Sequence, residues 1–268
     1  MTAPGRAHVP RAVVVVAGWT VGIMFVGFAT FAVLVVVCCA VAVLACRESL
    51  DMWNVRWAGR GLPYAGLAAA SVACTVYAAR ESGIYAGWAA VIGAAYVAAC
   101  IAVRRDHIFV LACLMPMVFI LSLSTMRALP QGRELVIITI AAVWTGDIFA
   151  FLWGRYSGRK LYMLPKWVNE RKSLDAAAIG AIAAAGIFIV AGILFLKNIS
   201  VGGICLCAVA TGIAGQVGDV AESAVKRAAG VVDSGRLLGG QGGMLDAIDG
   251  LSFALPFVIA VLSLIHKM

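Results

Sequence analysis

Charged residues are scarce in this chain, and their scarcity decides the class of protein. They make up 13% of the 268 residues, whereas hydrophobic residues make up 63%. A soluble domain of this size cannot hide so much apolar side chain in one core. A helix needs about 20 mostly apolar residues to span a bilayer, and the sequence supplies such stretches repeatedly. The sequence therefore predicts an all-α, polytopic integral membrane protein.

The chain also lacks a polar module that could carry a nucleic-acid-binding face. Its formal net charge is +8, but its 21 Lys and Arg residues are spread between apolar stretches. A nucleic-acid-binding domain would collect them on one face. We therefore expect membrane lipid headgroups and phosphorylated substrates as partners, and no nucleic acid.

A disulfide or zinc framework is missing as well. The eight cysteines lie inside apolar stretches, where cysteine behaves as a small hydrophobic residue. Cys205 and Cys207 are two residues apart and do not share a helix face, which makes them poor co-ligands for a metal. We expect the cysteines to serve packing.

Apolar runs predict about nine spanning helices in a single membrane-embedded domain, residues 1–268. Residues 12–46 are too long for one span, so we interpret them as two helices that meet near Gly27 and Phe28. The other predicted spans are 62–79, 83–103, 107–125, 135–153, 174–196, 200–221 and 248–265.

The basic residues orient these helices. If the N-terminus is cytoplasmic, most of the Lys and Arg residues fall in inner loops, as the positive-inside rule requires. The two long polar loops, about 154–173 and 222–247, then face the cytoplasm. We expect a bacterial inner membrane protein with its active site on the cytoplasmic side. Residues 1–125 are predicted to be a helical scaffold, and residues 126–268 to carry the chemistry.

A polar run at the end of the predicted span 200–221 is the first chemical signal. Positions separated by three and four residues share one face of a helix. An acid this close to the hydrocarbon is costly, so Asp219 is expected to have a partner or a function. The alternative is a solvated helix end whose acids and bases pair with each other. The residues on this face are Asp219, Glu222, Ser223, Lys226 and Arg227.

A glycine-rich segment and two further acids follow. Four glycines in residues 239–243 allow backbone N–H groups to approach an anion closely. Asp246 and Asp249 are three residues apart and open the last predicted span on one face. Such a set suits Mg²⁺, which binds one or two carboxylates together with substrate phosphates. The alternative is a flexible loop before a helix that Asp246 caps.

Asp147 lies inside the predicted span 135–153, near its cytoplasmic end. An acid inside a membrane is by default a candidate functional residue. The loop that follows is rich in basic residues, about half of which we expect to touch a triphosphate or an anionic lipid headgroup. These residues are Arg155, Arg159, Lys160, Lys166, Arg171 and Lys172.

Together these motifs resemble the C-terminal signature of the phosphatidate cytidylyltransferases. That signature runs Ser, two residues, Lys-Arg, four residues, Lys-Asp, then Gly, a Leu-Pro or Leu-Gly step, His-Gly-Gly and Asp-Arg-x-Asp. Here Val232, Gln241 and Ala247 stand where the family has Lys, His and Arg. The positions that match without a gap are Ser223, Lys226, Arg227, Asp233, Gly235, Leu238, Gly239, Gly242, Gly243, Asp246 and Asp249.

The resemblance extends upstream. Residues 143–147, followed by Ala150-Phe151 and Gly154-Arg155, look like the family's Trp-x-x-Asp-Thr-x-Ala-Tyr-x-x-Gly-Arg stretch. Residues 169–175 resemble a degraded Ser-Pro-x-Lys-Thr-x-Glu. The motifs cover roughly residues 130–255, and the first half of the chain is similar to the family in hydropathy alone.

The resemblance implies an enzyme that transfers the cytidylyl group of CTP to phosphatidic acid, giving CDP-diacylglycerol and pyrophosphate for phospholipid synthesis. It implies Mg²⁺ as cofactor, with Asp219, Asp246 and Asp249 as both metal ligands and catalytic residues. Lys226 and Arg227 would be catalytic as well, because they would clamp phosphates. The implied substrate-binding residues are Asp147, Arg155, Arg159, Lys160, Lys172, Ser223, Asp233, Gly242 and Gly243.

Other functions stay open on the sequence. A CTP-dependent lipid kinase would phosphorylate a polyprenol or phytol hydroxyl. A catalytically weakened relative is suggested by Val232, Gln241 and Ala247. In an ion transporter or channel, Asp147 and Asp219 would line an ion path instead. A CDP-alcohol phosphotransferase is disfavoured because its Asp-Gly-x-x-Ala-Arg motif is missing. A homodimer is one oligomeric state that the sequence permits.

Overall fold

The computed structural model describes residues 29–55, Gly61, Pro63, Tyr64, Leu67 and residues 107–157, 172–238 and 242–265. Every long element in this part of the chain is an α-helix, which confirms the predicted all-α fold there. The helices are α1 (Phe31–Met52), α2 (His107–Ala128), α3 (Gly132–Tyr156), α4 (Leu174–Phe195), α5 (Val201–Ala228) and α6 (Met244–Ile265).

Helices α2 to α6 are each long and apolar enough to cross a membrane. Helix α4 exposes large apolar side chains along its length, including Ile182, Val190 and Ile193. An apolar surface of this kind is covered by lipid in a membrane protein. The described part of the chain is therefore that of an integral membrane protein.

The predicted helix before Gly27, the predicted span 83–103 and most of 62–79 lie outside the described residues. The count of nine helices and the cytoplasmic N-terminus accordingly stay predictions. Among the described cysteines, Cys38, Cys46, Cys113 and Cys207 are buried, as expected for packing residues.

Glycines allow the helices to approach one another closely. A Cβ atom on Gly146 of α3 would lie 2.8 Å from the carbonyl oxygen of Gly180 on α4. A Cβ atom on Gly218 of α5 would lie 2.5 Å from the carbonyl oxygen of Asp249 on α6. Small residues at helix crossings are typical of membrane proteins, because dispersion contacts between close backbones replace the hydrophobic effect.

Gln131 connects two interhelical segments at the end of the bundle opposite the polar motifs. Its side chain donates to the Phe195 carbonyl at 3.0 Å and accepts from the Asn198 N–H at 3.0 Å. The α2–α3 and α4–α5 connections therefore lie together. The other end of the bundle contains the C-terminal turns of α1, α3 and α5 and the N-terminal turns of α4 and α6.

The predicted boundaries are wrong at that other end. The predicted loop 222–247 contains the last two turns of α5, which continue to Ala228, and the first turn of α6, which begins at Met244. Likewise α1 continues to Met52 and α3 to Tyr156. Apolar runs locate only the hydrocarbon-facing part of a helix. These helices extend further because their polar residues find partners on neighbouring helices.

Candidate active site

Lys226 lies at the centre of a buried ion cluster between α5 and α6. Its Nζ atom is 2.5 Å from Glu222 Oε2, one turn earlier on α5, and 2.5 Å from Asp246 Oδ1 in the first turn of α6. The Glu222 side chain is 0% exposed and that of Lys226 is 13% exposed. A buried charge is costly unless it is paired. The single cation therefore stabilises two acids that would otherwise repel each other.

The other oxygen of Asp246 is held by the loop between α5 and α6. Asp246 Oδ2 accepts from the Ser234 hydroxyl at 2.6 Å, the Ser234 N–H at 3.2 Å and the Gly243 N–H at 2.6 Å. Gly242 has φ +91°, and a Cβ atom there would collide with the Asp246 carboxylate. Gly242 and Gly243 thus lie against Asp246, and the Gly243 N–H donates to its carboxylate.

The end of α5 directs this loop back towards α6. Gly230 adopts φ +75°, its N–H donates to the Arg227 carbonyl at 3.0 Å, and the Val231 N–H donates to the Lys226 carbonyl at 2.9 Å. This is the Schellman arrangement, in which a left-handed residue after the helix satisfies its last carbonyls. It stops α5 directly after Lys226 and Arg227, so that Ser234 can reach Asp246.

Glu48 in the last turns of α1 belongs to the same cluster. Its Oε2 atom accepts from the Leu245 N–H at 3.0 Å and from the Ser234 hydroxyl at 3.1 Å. A cavity of about 420 Å³ opens next to these residues. Its lining consists of Leu44, Arg47, Glu48, Asp51, Ser234, Gly235, Arg236 and Leu237.

A second group of acids lies beside the Lys226 cluster. Asp249 of α6 interacts through its charge with Asp219 of α5 and Asp147 of α3. Lys172, just before α4, forms an ion pair with the Asp219 carboxylate and donates to the Asp219 carbonyl at 3.1 Å. Gln216 hydrogen-bonds to the Asp147 side chain. Three carboxylates from three helices therefore face one lysine.

The two groups are continuous along the α5–α6 contact. Asp219 and Glu222 are one turn apart on α5, Asp246 and Asp249 are one turn apart on α6, and the charges of Glu222 and Asp249 interact. The structure therefore brings Asp219, Glu222, Asp246 and Asp249 together at one end of the membrane helices. The shared helix face of Asp219, Glu222 and Lys226 is the feature that brings them towards α6.

The carboxylates offer suitable donors for a hard divalent cation. No group of three His, Cys, Asp or Glu side chains within the described ranges is already arranged to hold a metal ion. Mg²⁺ does not need such a preformed set, because it takes one or two carboxylates and completes its shell with water and phosphate oxygens. The charge of Asp147, Asp219 and Asp249, against that of Lys172, fits this requirement chemically.

Comparison with known proteins identifies the family of the chain. The sequence model of the cytidylyltransferase family matches residues 11–265, which is nearly the whole chain. The chain belongs to the cytidylyltransferase family.

Curated relatives match this chain over part of its length. A phosphatidate cytidylyltransferase of Brucella abortus (strain 2308) is 39% identical over 135 residues, covering 49% of this chain and 48% of the relative. A phosphatidate cytidylyltransferase of Staphylococcus saprophyticus is 32% identical over 129 residues, with 48% of each chain covered. The protein YnbB of Escherichia coli K12, whose name assigns no activity, is 39% identical over 125 residues, covering 47% of this chain and 41% of YnbB. The chain spans about half the length of the curated relatives that it matches.

Some of the predicted site residues lie apart from the two groups of acids. Arg227 donates to the Val231 carbonyl at 2.7 Å and so stabilises the turn after α5. Arg155 and Asp233 are exposed. Ser223 is buried, and its hydroxyl has no hydrogen-bond partner among the residues that the structure describes. Arg159 and Lys160 lie outside the described residues.

Glu48 and Gln216 belong to the site but were not predicted from the sequence. Both are polar residues within apolar helices, and an intramembrane acid is a signal in its own right. Glu48 was passed over because it lies at the end of an apolar run and resembles a residue that flanks a loop. A second signal is the pairing of acids with glycine in Gly146-Asp147, Gly218-Asp219 and Asp249-Gly250, where the glycines allow the close helix approach.

Proposed function

We propose that this cytidylyltransferase transfers the cytidylyl group of CTP to phosphatidic acid, giving CDP-diacylglycerol and pyrophosphate. The observation that carries the proposal is the assembly of Lys226, Asp246, Asp219 and Asp249 at one end of a bundle of membrane helices. These residues come from the segment that resembles the phosphatidate cytidylyltransferase signature. The relatives named for that activity, at 32% and 39% identity, support the same reaction.

The proposed reaction asks the protein for positioning and charge balance. An oxygen of the phosphatidic acid phosphate attacks the α-phosphorus of CTP, the bond to the bridging oxygen breaks, and pyrophosphate leaves with the bonding electrons. No general base is needed, because the attacking phosphate is already ionised near neutral pH. Holding the two reactants in line therefore accounts for most of the catalysis that we expect from the chain.

The acids and lysines have distinct parts in this proposal. Asp219, Asp246 and Asp249 would hold Mg²⁺, which when bound neutralises nucleotide oxygens and the leaving pyrophosphate. Lys226 contacts both Asp246 and the buried Glu222 and so holds the two side chains next to each other. Lys172 holds the Asp219 side chain of α5 through an ion pair. The apolar helix surfaces let the acyl chains stay in lipid while the headgroup reaches the acids.

The distribution of basic residues supports a cytoplasmic site in an inner bacterial membrane. Basic residues near the ends of spanning segments mark the cytoplasmic side. The described basic residues near the opposite end of the bundle are fewer, namely Arg127, Arg133 and Lys197. Those at the site end are Arg47, Arg155, Lys172, Lys226, Arg227 and Arg236.

The experiment is incorporation of radiolabelled CTP into lipid by the purified chain in mixed micelles that contain phosphatidic acid, with and without Mg²⁺. We expect labelled CDP-diacylglycerol and pyrophosphate in equal amounts. Release of CDP together with a phosphorylated lipid alcohol would instead identify a lipid kinase. Asp249→Asn is the matched inactive control, because asparagine keeps the shape of the side chain and removes its charge.

A further inference from the structure

We propose that Glu48 is a positioning residue of the active site, which completes the N-terminal cap of α6 from another helix and thereby fixes Asp246. The proposal rests on the proposed function only in so far as Asp246 takes part in the reaction. It makes α1 part of the active centre, although Glu48 is 197 residues away from Leu245 in sequence.

Helix α6 has half of a capping box at its N-terminus. Because α6 begins at Met244, Gly243 is the N-cap residue and Asp246 is the third residue of the helix. In a capping box, the acid at the third position accepts from the N-cap N–H, and the N-cap side chain accepts from an N–H of the first turn. Asp246 makes the first of these bonds, to the Gly243 N–H at 2.6 Å.

Gly243 has no side chain with which to make the second bond. The Leu245 N–H donates to Glu48 Oε2 at 3.0 Å instead. Glu48 therefore supplies from α1 the acceptor that a serine or aspartate at the N-cap position would ordinarily provide. Its negative charge also lies at the N-terminus of α6, where the helix dipole favours an anion.

The glycines around Glu48 leave room for its carboxylate alone. A Cβ atom on Gly243 would collide with Glu48 Oε2 and with the Ser234 hydroxyl, and a Cβ atom on Gly235 would collide with Glu48 Oε1. Two loop positions are thus shaped around the carboxylate of a residue on a distant helix. A side chain at the N-cap position and Glu48 cannot both be present without a shift.

Ser234 connects Glu48 to Asp246. The Ser234 hydroxyl has one proton and lies 2.6 Å from Asp246 Oδ2 and 3.1 Å from Glu48 Oε2. The two carboxylates therefore share one donor, with the shorter bond to Asp246. Movement of Glu48 would change the donors that remain for Asp246.

Glu48 is itself held firmly enough to act in this way. The neighbouring Ser49 hydroxyl donates to the Ala112 carbonyl of α2 at 3.0 Å. The Trp53 ring, just after α1, contacts the edge of the Phe109 ring of α2 at a centroid distance of 5.5 Å. The last turns of α1 are thus fixed to α2, so the position of the Glu48 carboxylate is determined by the packing of helices.

The test compares Glu48→Ala with Glu48→Gln in the purified full chain. Glutamine keeps an oxygen that can accept from the Leu245 N–H, whereas alanine removes the acceptor. We expect Glu48→Ala to lower kcat at least about tenfold with a smaller change in KM for CTP, and Glu48→Gln to keep kcat within about threefold. The control is Glu134→Ala, which removes an acid from the first turn of α3 at the opposite end. Wild-type turnover in Glu48→Ala, or equal loss in both Glu48 variants, would overturn the proposal.

A second measurement does not depend on turnover. Amide hydrogen exchange of residues 242–247 should be about fivefold to tenfold faster in Glu48→Ala than in the wild type, and close to wild type in Glu48→Gln. Gly243→Ala should impair the wild type more than it impairs Glu48→Ala, because the colliding carboxylate is then gone. Unchanged exchange in Glu48→Ala would refute the capping role. The wild type could be inactive with CTP while the variants still show these exchange differences. That result would refute the proposed function but not the capping role.

Discussion

Replacement of Lys226 by methionine tests the central feature of the site, which is one buried cation shared by two acids. Methionine keeps the apolar stem of the side chain but leaves Glu222 and Asp246 without their cation. Removing one partner of a buried ion pair destabilises a protein by roughly 3–5 kcal/mol, because the remaining charge stays desolvated. We expect Lys226→Met to lower the free energy of unfolding by about this amount, and the unfolding temperature by about 10 °C.

A double variant separates the stabilising role of Lys226 from its role in the reaction. In Glu222→Gln/Lys226→Met, a neutral glutamine replaces the acid that is 0% exposed. Much of the stability lost in Lys226→Met should therefore return. The assay is thermal unfolding in detergent micelles, followed by CTP turnover at a temperature where each variant is folded.

Turnover should stay low in the double variant if Lys226 also acts on phosphate. Recovery of turnover together with stability would show that Lys226 serves the fold alone. An unfolding temperature unchanged in Lys226→Met would refute the reasoning about buried charge, since both acids would then tolerate the loss of their cation.

Three further variants test other parts of the site. Asp246→Asn should abolish Mg²⁺-dependent turnover in the lipid assay while the protein stays folded, because an amide cannot accept on both sides as the carboxylate does. Lys172→Met should lower turnover, because Asp219 loses its ion pair. The turnover that remains should depend more steeply on the Mg²⁺ concentration than in the wild type. Gly146→Ala should destabilise the α3–α4 contact by roughly 1–3 kcal/mol in thermal unfolding, because the added Cβ would lie 2.8 Å from the Gly180 carbonyl oxygen.

Each of these variants has a result that would contradict its premise. Wild-type rates in Asp246→Asn would remove this acid from the reaction. An unchanged Mg²⁺ titration in Lys172→Met would show that the ion pair with Asp219 has no bearing on the cation. For Gly146, the half-buried Gly154 of the same helix is the matched position, since a Cβ atom there meets no atom within 4 Å. Equal effects of alanine at the two positions would argue against close packing as the cause.

The helices were predictable because a bilayer imposes a simple rule on sequence. Every unpaired backbone group in hydrocarbon is costly, so a long apolar run must be helical. This rule located α2 to α6 from composition alone. It failed at the helix ends, where α5 carries Glu222, Lys226 and Arg227 beyond its apolar part. Those residues stay helical because α6 and the loop after α5 supply their partners, which no local pattern reveals.

The site was predictable where its members are close in sequence. Spacing of three and four residues placed Asp219, Glu222 and Lys226 on one face, and α5 confirms it. Spacing could not find Glu48, because its partners Ser234 and Leu245 are 186 and 197 residues away. A contact of that separation depends on the order in which helices pack, and this order is not contained in the periodicity of any one segment.

The two halves of the site each contain three acids and one lysine, but they differ in the hydrogen-bond donors that face the acids. In the Lys226 half, Glu222, Asp246 and Glu48 are compensated by the lysine, a hydroxyl and backbone N–H donors. In the other half, Asp147, Asp219 and Asp249 face Lys172 and the Gln216 amide. Negative charge is thus less compensated on the side of Asp219 and Asp249.

Because uncompensated charge near hydrocarbon is costly, it is retained where a ligand supplies the missing counter-charge. We therefore expect a cation to enter between Asp219 and Asp249 and to reach Asp246 from that side, while Lys226 and the loop after α5 keep Asp246 in place. The Lys172→Met and Lys226→Met variants distinguish these halves. The first should change the response to Mg²⁺, and the second should change chiefly the stability of the fold.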